Sequence, residues 1–192
     1  MITKNRFNAL IIIVATIGLL VACSGGSNQQ AEANKIVDQA NKKLDDTKDL
    51  YSKTEARNTN LFSATIQTVP QLRFYQGKMS GEAKSIVADY EKVSDNLKDI
   101  AKQYDDISRL NVDEKYKAYA KLKSDEFAKR SEAVNVRKGN AQAFAEISDP
   151  RIMTSKFAEN NTKSDKLFKD AEDIAAKAKK MEEDNKDLFK QA

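Results

Sequence analysis

The sequence predicts an all-α protein, an elongated antiparallel bundle of four long helices with coiled-coil-like seams. Apolar residues recur at alternating spacings of three and four, which is the period of one helix face. Proline occurs twice and glycine six times in 192 residues, so few positions interrupt a helix. Ala, Lys, Glu, Asp and Leu dominate long stretches, and such residues favour helices.

The first helix is predicted over residues 31–68. Its inward face alternates by three and four along Val37, Ala40, Leu44, Thr47, Tyr51, Thr54, Asn58 and Leu61. Pro70 lacks the amide hydrogen that would continue this helix, so we predict a break there. A non-helical connector then spans 70–81.

The second helix is predicted over 82–110 and has the clearest seam, formed by Ala83, Ile86, Tyr90, Val93, Leu97, Ile100, Tyr104 and Ile107. Asn111 and Glu114 stand three residues apart as a capping pair. They predict a tight turn into a third helix over 112–147.

The third helix has a mixed stripe, because Lys123, Arg130 and Arg137 share it with apolar residues. Asp149 followed by Pro150 predicts an N-cap and the start of a fourth helix over 150–190. Its seam runs through Met153, Phe157, Asn160, Ser164, Leu167, Ala171, Ile174, Ala178, Met181, Asn185 and Leu188.

Short turns favour up-and-down order in a bundle of four helices. This order places the start of the first helix and the turn at Asn111 at one end. The connector 70–81 and the turn at Asp149 then lie at the other end. A three-helix bundle or an intermolecular coiled coil would keep the same seams with a different placement.

The first residues of the chain predict a secretion signal. Lys4 and Arg6 form a positive region, and an apolar run over 9–21 follows. This run is shorter than the roughly 20 residues that a membrane-spanning helix needs, which favours a cleaved signal peptide. An uncleaved N-terminal helix is the alternative.

The segment Leu20-Val21-Ala22-Cys23, followed by the polar residues 24–27, resembles the lipobox of bacterial lipoproteins. The resemblance covers about the first 27 residues. It implies a thioether link from Cys23 to diacylglycerol, cleavage before Cys23 and a new amino terminus open to acylation. The implied organisation is a signal peptide over 1–22, the lipidated Cys and a flexible linker over 23–30, and a helical domain over 31–192.

The resemblance also implies that the protein resides in the bacterial cell envelope, held at a membrane by the lipid. An Asp after the lipidated Cys commonly retains such proteins at the inner membrane of Gram-negative cells. Ser24 occupies that position here, which favours the periplasmic face of the outer membrane if the source is Gram-negative.

The charge balance argues against nucleic acid as a partner. The chain has 33 basic and 29 acidic residues, and Lys4 and Arg6 leave with the signal peptide. The mature domain is therefore close to neutral, whereas a nucleic-acid surface is strongly basic.

The residue inventory argues against an enzyme. Histidine is absent and the one cysteine is Cys23, which removes the commonest general base and thiol nucleophiles. Zinc sites that use His or Cys ligands are excluded as well. Acidic runs at 45–46, 105–106 and 182–184 are predicted to be solvated, and we expect no metal and no cofactor.

Polar residues on otherwise apolar stripes have two interpretations. They are Asn58, Asn160, Asn185, Lys123, Arg130 and Arg137. The first interpretation is that they set helix register or extend to the bundle surface. The second is that they line a polar pocket for a small ligand.

The segment Leu72-Arg73-Phe74-Tyr75 is the densest apolar group outside a clear seam. It either folds over the end of the bundle as a cap or forms a contact surface for an envelope protein, with Arg151 nearby. Tyr, Phe and Arg are typical of interface hot spots.

Two functions therefore remain: a non-catalytic spacer or protein-interaction module, and a ligand-binding or sensor bundle. A dry interior along Leu97, Ile100, Phe127 and Val134 would favour the first. An open polar cavity around Arg130 and Arg137 would favour the second. The sequence leaves the oligomeric state open.

Overall fold

The protein is built from helices joined by short turns. A computed structural model describes residues 28–63 and 66–189, and over these ranges the chain forms helices and no strand. The four long helices are α1 (Asn28–Leu61), α2 (Val69–Ser108), α3 (Glu114–Glu146) and α4 (Pro150–Asp184). One short helix, α5 (Lys186–Phe189), follows them. The predicted all-α fold with four long helices is confirmed.

The predicted end of the first helix at residue 68 is wrong, because α1 ends at Leu61 and Thr68 caps the next helix. The Thr68 backbone is extended, and its hydroxyl accepts a hydrogen bond from the Gln71 amide at 3.4 Å. The Gln71 side chain accepts one in return from the Thr68 amide at 3.2 Å. This reciprocal pair is a capping box, so the chain has left the first helix by Thr68.

The predicted connector over 70–81 is also wrong, because this segment forms the first three turns of α2. Pro70 lies in the first turn, where its missing amide hydrogen is not needed. Leu72 is fully buried. The Gln76 side chain donates to the backbone carbonyls of Phe144 and Ile147 at 2.6 and 2.9 Å. These tertiary contacts hold the segment as a helix despite its two glycines.

The predicted cap at Asn111 is wrong by two residues. Asp113 is the N-cap of α3, and its carboxylate accepts a hydrogen bond from the Lys115 amide at 2.8 Å. The Asn111 amide instead donates to the side chain of Gln29 at the start of α1. Moving the cap to Asp113 leaves Val112 in the turn, where it packs against the core.

The predicted cap at Asp149 is confirmed, whereas two other boundaries differ. The Asp149 carboxylate accepts hydrogen bonds from the amides of Arg151 and Ile152 at 2.8 and 3.3 Å. The fourth helix ends at Asp184 rather than at residue 190, because the backbone leaves the helical region at Asn185. The first helix begins at Asn28, three residues before the predicted start.

The two ends of the bundle are those that up-and-down order predicts. At one end, Asn111 contacts Gln29, and the Lys115 ammonium donates to the Asn185 side chain at 2.7 Å. We call this the near end, because it contains the start of α1. At the far end, the ring of Phe62 stacks on that of Phe157 with centroids 4.1 Å apart. At about 1.5 Å per residue, α1 separates the two ends by about 50 Å.

The core follows the predicted seams. All eight seam residues of the second helix are buried, and the largest fully buried side chains include Tyr90, Tyr116, Phe127 and Phe144. α4 contributes a smaller inward face, with Asn160, Ser164, Ala171 and Ala178 among its buried residues. Phe168 contacts the ring of Tyr51 on α1, and Phe157 contacts the ring of Phe62 just after α1.

Two helical glycines should respond to alanine in opposite ways. A β-carbon at Gly139 would lie 2.9 Å from the Nδ2 atom of the buried Asn160, whereas one at Gly81 would meet no atom within 4 Å. We expect Gly81→Ala to raise the free energy of unfolding by about 1 kcal/mol through helix propensity. Gly139→Ala should lower it by about 1 kcal/mol, because an overpacking cost of about 1–3 kcal/mol exceeds the same gain in helix propensity. Urea unfolding of both variants tests this, and equal shifts would contradict it.

Candidate functional site

The predicted lipidation site lies outside the described residues. Cys23 and the preceding Leu20, Val21 and Ala22 all come before Asn28, the first residue that the structure describes. Asn28 follows Cys23 by five positions and starts α1 at the near end. The lipobox therefore remains a prediction from the sequence.

The predicted contact segment is divided between the core and the solvent. Leu72 is buried and Tyr75 packs against the core, whereas Arg73 and Phe74 are exposed. Successive helical residues point about 100° apart, so neighbouring residues of this segment face the core and the solvent in turn. The segment covers the core as part of α2 and does not fold back over the bundle end.

Lys123 and Arg130 flank one buried carboxylate on α3. The Glu126 side chain is 1% exposed, and its two oxygens lie 2.7 Å from the Lys123 ammonium and 2.9 Å from Arg130 Nε. The Lys123 ammonium also lies 4.8 Å from the centroid of the Phe127 ring. The three side chains form one ion cluster inside the bundle, with a net charge of +1. Glu126 was not predicted from the sequence. Its spacing of three residues from Lys123 and four from Arg130 could have indicated that the three side chains meet on one helix face.

The space beside Arg130 is too small for a ligand. The cavity has a volume of about 20 Å³, and its lining includes Leu44, Tyr51, Val134 and Phe168. A cavity of this size holds about one water molecule, whereas ligand pockets measure about 300–1,000 Å³. The predicted dry-interior residues Leu97, Ile100, Phe127 and Val134 are all buried.

Arg137 joins three helices at mid-bundle. Its guanidinium donates to the side chain of Asn161 and, at 2.7 Å, to that of Asp165, both on α4. Its Nε atom lies 3.8 Å from Glu55 on α1, which is an ion pair beyond hydrogen-bond distance. Arg137 therefore acts as a structural link between helices. Its carboxylate partners lie on other helices, and the sequence pattern did not indicate which residues they are.

Glu55 connects this link to two tyrosines. The Tyr90 hydroxyl donates to Glu55 at 2.6 Å. Burial raises the pKa of Tyr90 above its ordinary value, and the nearby negative charge of Glu55 raises it further. The pKa of Tyr51 is raised by the same causes. Both hydroxyls are therefore neutral donors at physiological pH.

The predicted polar seam residues of α1 and α4 lie in different places. Asn58 and Asn160 are buried, and the Asn58 Oδ1 and Asn160 Nδ2 atoms have no hydrogen-bond partner among the described residues. Asn185 lies at the near end and caps α4. Buried asparagines of this kind are known to specify helix register.

The acidic runs form no metal site. Within residues 28–63 and 66–189, no group of three or more potential ligands is placed to hold an ion. Asp45 and Asp46 are exposed, and Asp105 pairs with Arg109, the C-cap of the same helix. Burial raises the pKa of Glu182 above its ordinary value, and Lys123 opposes this rise.

Over the described residues, the geometry defines an all-α, up-and-down four-helix bundle whose core contains charged residues. No helix in the described part of the chain has the length and apolar character needed to cross a bilayer. No protein family, curated protein or solved structure with which the chain was compared matches it.

Proposed function

We propose that this protein is a lipid-anchored bacterial envelope lipoprotein whose helical bundle is a non-catalytic spacer or protein-interaction module. Cys23 is the proposed attachment point, and residues 1–22 are the signal peptide. One acyl chain binds a membrane only marginally, and two or more hold a protein stably. Ser24 favours the outer membrane in a Gram-negative source.

The observation that carries this proposal is the position of α1 in the bundle. α1 begins at Asn28, so only four residues separate Cys23 from the near end. An anchor at Cys23 would hold the near end close to the bilayer and present the far end about 50 Å away. This geometry suits a rod that reaches from a membrane toward another component.

The interior favours this function over small-ligand sensing. The cavity beside Arg130 has a volume of about 20 Å³, and Arg137 is held by Asn161 and Asp165. A ligand at Arg130 or Arg137 would therefore have to displace these contacts and part the helices. The absence of histidine from the whole sequence supports a non-catalytic role.

The experiment that tests the anchor is Cys23→Ala in cells fed a labelled fatty acid. The variant should accumulate as the full-length precursor without label, because the proposed acceptor sulfur is gone. Ser24→Ala is the matched control and should keep both cleavage and label. Unchanged labelling of Cys23→Ala would overturn the proposal.

A further inference from the structure

The far end of the bundle carries an unusual concentration of exposed apolar residues. Among the described residues, three large hydrophobic side chains are exposed, and all lie within the first two turns of α2 or α4. Val69 is 38% exposed, Phe74 57% and Ile152 60%. The starts of α2 and α4 both belong to the far end, which lies opposite the proposed anchor.

Phe74 is held on the solvent side by a rigid element. Leu72 is buried beneath it, and Gln76 binds the carbonyls at the end of α3. The capping box at Thr68 secures the start of the helix. The exposure of Phe74 therefore belongs to a well-anchored helix and is not the consequence of a frayed end.

Phe74 shares its side of the helix with Pro70, Gly77, Lys78 and Gly81. These five residues are exposed and recur along one side of the helix. We call them the α2 outer face. A β-carbon at Gly77 or Gly81 would meet no atom within 4 Å. The contacts of this chain therefore do not require glycine at either position, although each lowers helix propensity.

The chain segment that contains this face carries only basic charges. Between Glu55 and Glu82 the sequence has no acidic residue, whereas it has Arg57, Arg73 and Lys78. Arg57 is paired with Glu82 and Asp89 on α2. Arg73 and Lys78 remain on the exposed side, and the Lys78 ammonium lies 4.4 Å from the Phe74 ring centroid.

Three properties together define the occupant. An exposed aromatic ring beside cations suits an apolar side chain flanked by carboxylates. The glycines leave room for the backbone of another helix to approach closely. They add no apolar side chain for insertion into lipid, so a bilayer surface fits this face less well. A second copy fits less well because Arg73 and Lys78 would meet the same cations.

We propose that the α2 outer face docks an acidic amphipathic helix of another protein. This inference rests on the proposed interaction function and specifies the class of partner. Phe74 is the apolar anchor, Lys78 and the neighbouring Arg73 select acidic partners, and Gly77 and Gly81 set the distance of approach.

Photocrosslinking of the full-length protein in its native cells tests this proposal. A photoreactive phenylalanine analogue at position 74 should form an adduct with another protein. Mass spectrometry should map the adduct to a helical segment with Asp or Glu at spacings of three and four. The same analogue at Glu172, an exposed residue of α4, should not form that adduct.

Variants that carry the analogue at position 74 separate docking from folding. Gly77→Leu fills the approach space while raising helix propensity. Arg73→Glu with Lys78→Glu reverses the charge at exposed positions. Each should lower the adduct yield about tenfold or more, the factor for a lost contact of about 1.4 kcal/mol. Thermal unfolding should show that both variants remain folded.

Four outcomes would overturn the proposal: an adduct with a second copy, an adduct with lipid alone, no adduct, or an adduct unaffected by Gly77→Leu. Fatty-acid labelling in the same cells tests the anchor separately from the docking inference. A labelled protein without an adduct would overturn the docking inference and leave the anchor intact. An unlabelled protein would overturn the anchor, and the adduct would still report on docking.

Discussion

Glu126→Ala is expected to lower the free energy of unfolding by about 3–5 kcal/mol, which is the usual effect of removing one partner from a buried ion pair. The Glu126 side chain is 1% exposed and separates the cations of Lys123 and Arg130. Without it, the buried Arg130 loses its counter-charge, and the partly buried Lys123 loses the carboxylate nearest to its ammonium. Urea unfolding followed by circular dichroism measures this change.

Two controls identify the physical cause. Glu132 also pairs with a lysine three residues away on α3, but its side chain is 56% exposed. Glu132→Ala should therefore have little effect, because exposed pairs are screened by water. Replacing the whole cluster by Lys123→Met, Glu126→Leu and Arg130→Met should restore most of the lost stability. If Glu126→Ala were as mild as Glu132→Ala, the buried cluster would be contradicted.

The second large effect is unfolding at alkaline pH. Tyr90, Tyr104, Tyr116 and Tyr119 are buried. Burial is the largest cause of the raised pKa of each, and it raises the pKa of Tyr116 to about 12. A tyrosine in an unfolded chain titrates near pH 10. The native state therefore keeps protons that the unfolded state releases above that pH.

The direction of the effect follows from this difference. Below about pH 10 both states are protonated, and the contribution to stability is constant. As the pH rises further, each buried tyrosine should lower stability by about 1.4 kcal/mol per pH unit. The summed loss from four such groups exceeds the usual free energy of unfolding of a domain, about 5–15 kcal/mol, within one to three pH units above pH 10. Cooperative unfolding should therefore occur between about pH 11 and 13.

Circular dichroism and tyrosinate absorbance followed together test this prediction. Loss of helical signal and appearance of tyrosinate should coincide, because the rings ionise only when the bundle opens. Tyr104→Phe should raise the pH of the midpoint, since it removes one ionising group and keeps the ring against Phe127. Gradual ionisation of the tyrosines within an intact bundle would contradict the prediction.

The seam of α2 shows how much of the fold was predictable. The spacing from Ala83 to Ile107 is unbroken, and every member is buried. Such a pattern depends only on the geometry of one helix. The predicted helix boundary was wrong where two local signals competed. Pro70 and the nearby glycines indicated a break, whereas Thr68 and Gln71 form a cap that makes Pro70 part of a helix start.

The charged residues show what was not predictable. Lys123, Arg130 and Arg137 were identified as polar positions on a core stripe, but their roles depend on their partners. Arg130 finds its partner on its own helix, and Arg137 finds its partners on α1 and α4. The sequence left a ligand pocket open at these positions, whereas the structure has a cavity of only about 20 Å³ beside Arg130.

The sequence by itself determined the helical class and the seams of the helices, because periodicity is a local property of the chain. It predicted four helices in up-and-down order, but a three-helix bundle and an intermolecular coiled coil fitted the same seams until the tertiary structure decided between them. Only the tertiary structure decided that residues 70–81 are helical, that Glu126 is buried and that Phe74 is exposed. Each of these depends on which surface lies opposite, and that surface comes from residues far away in the chain.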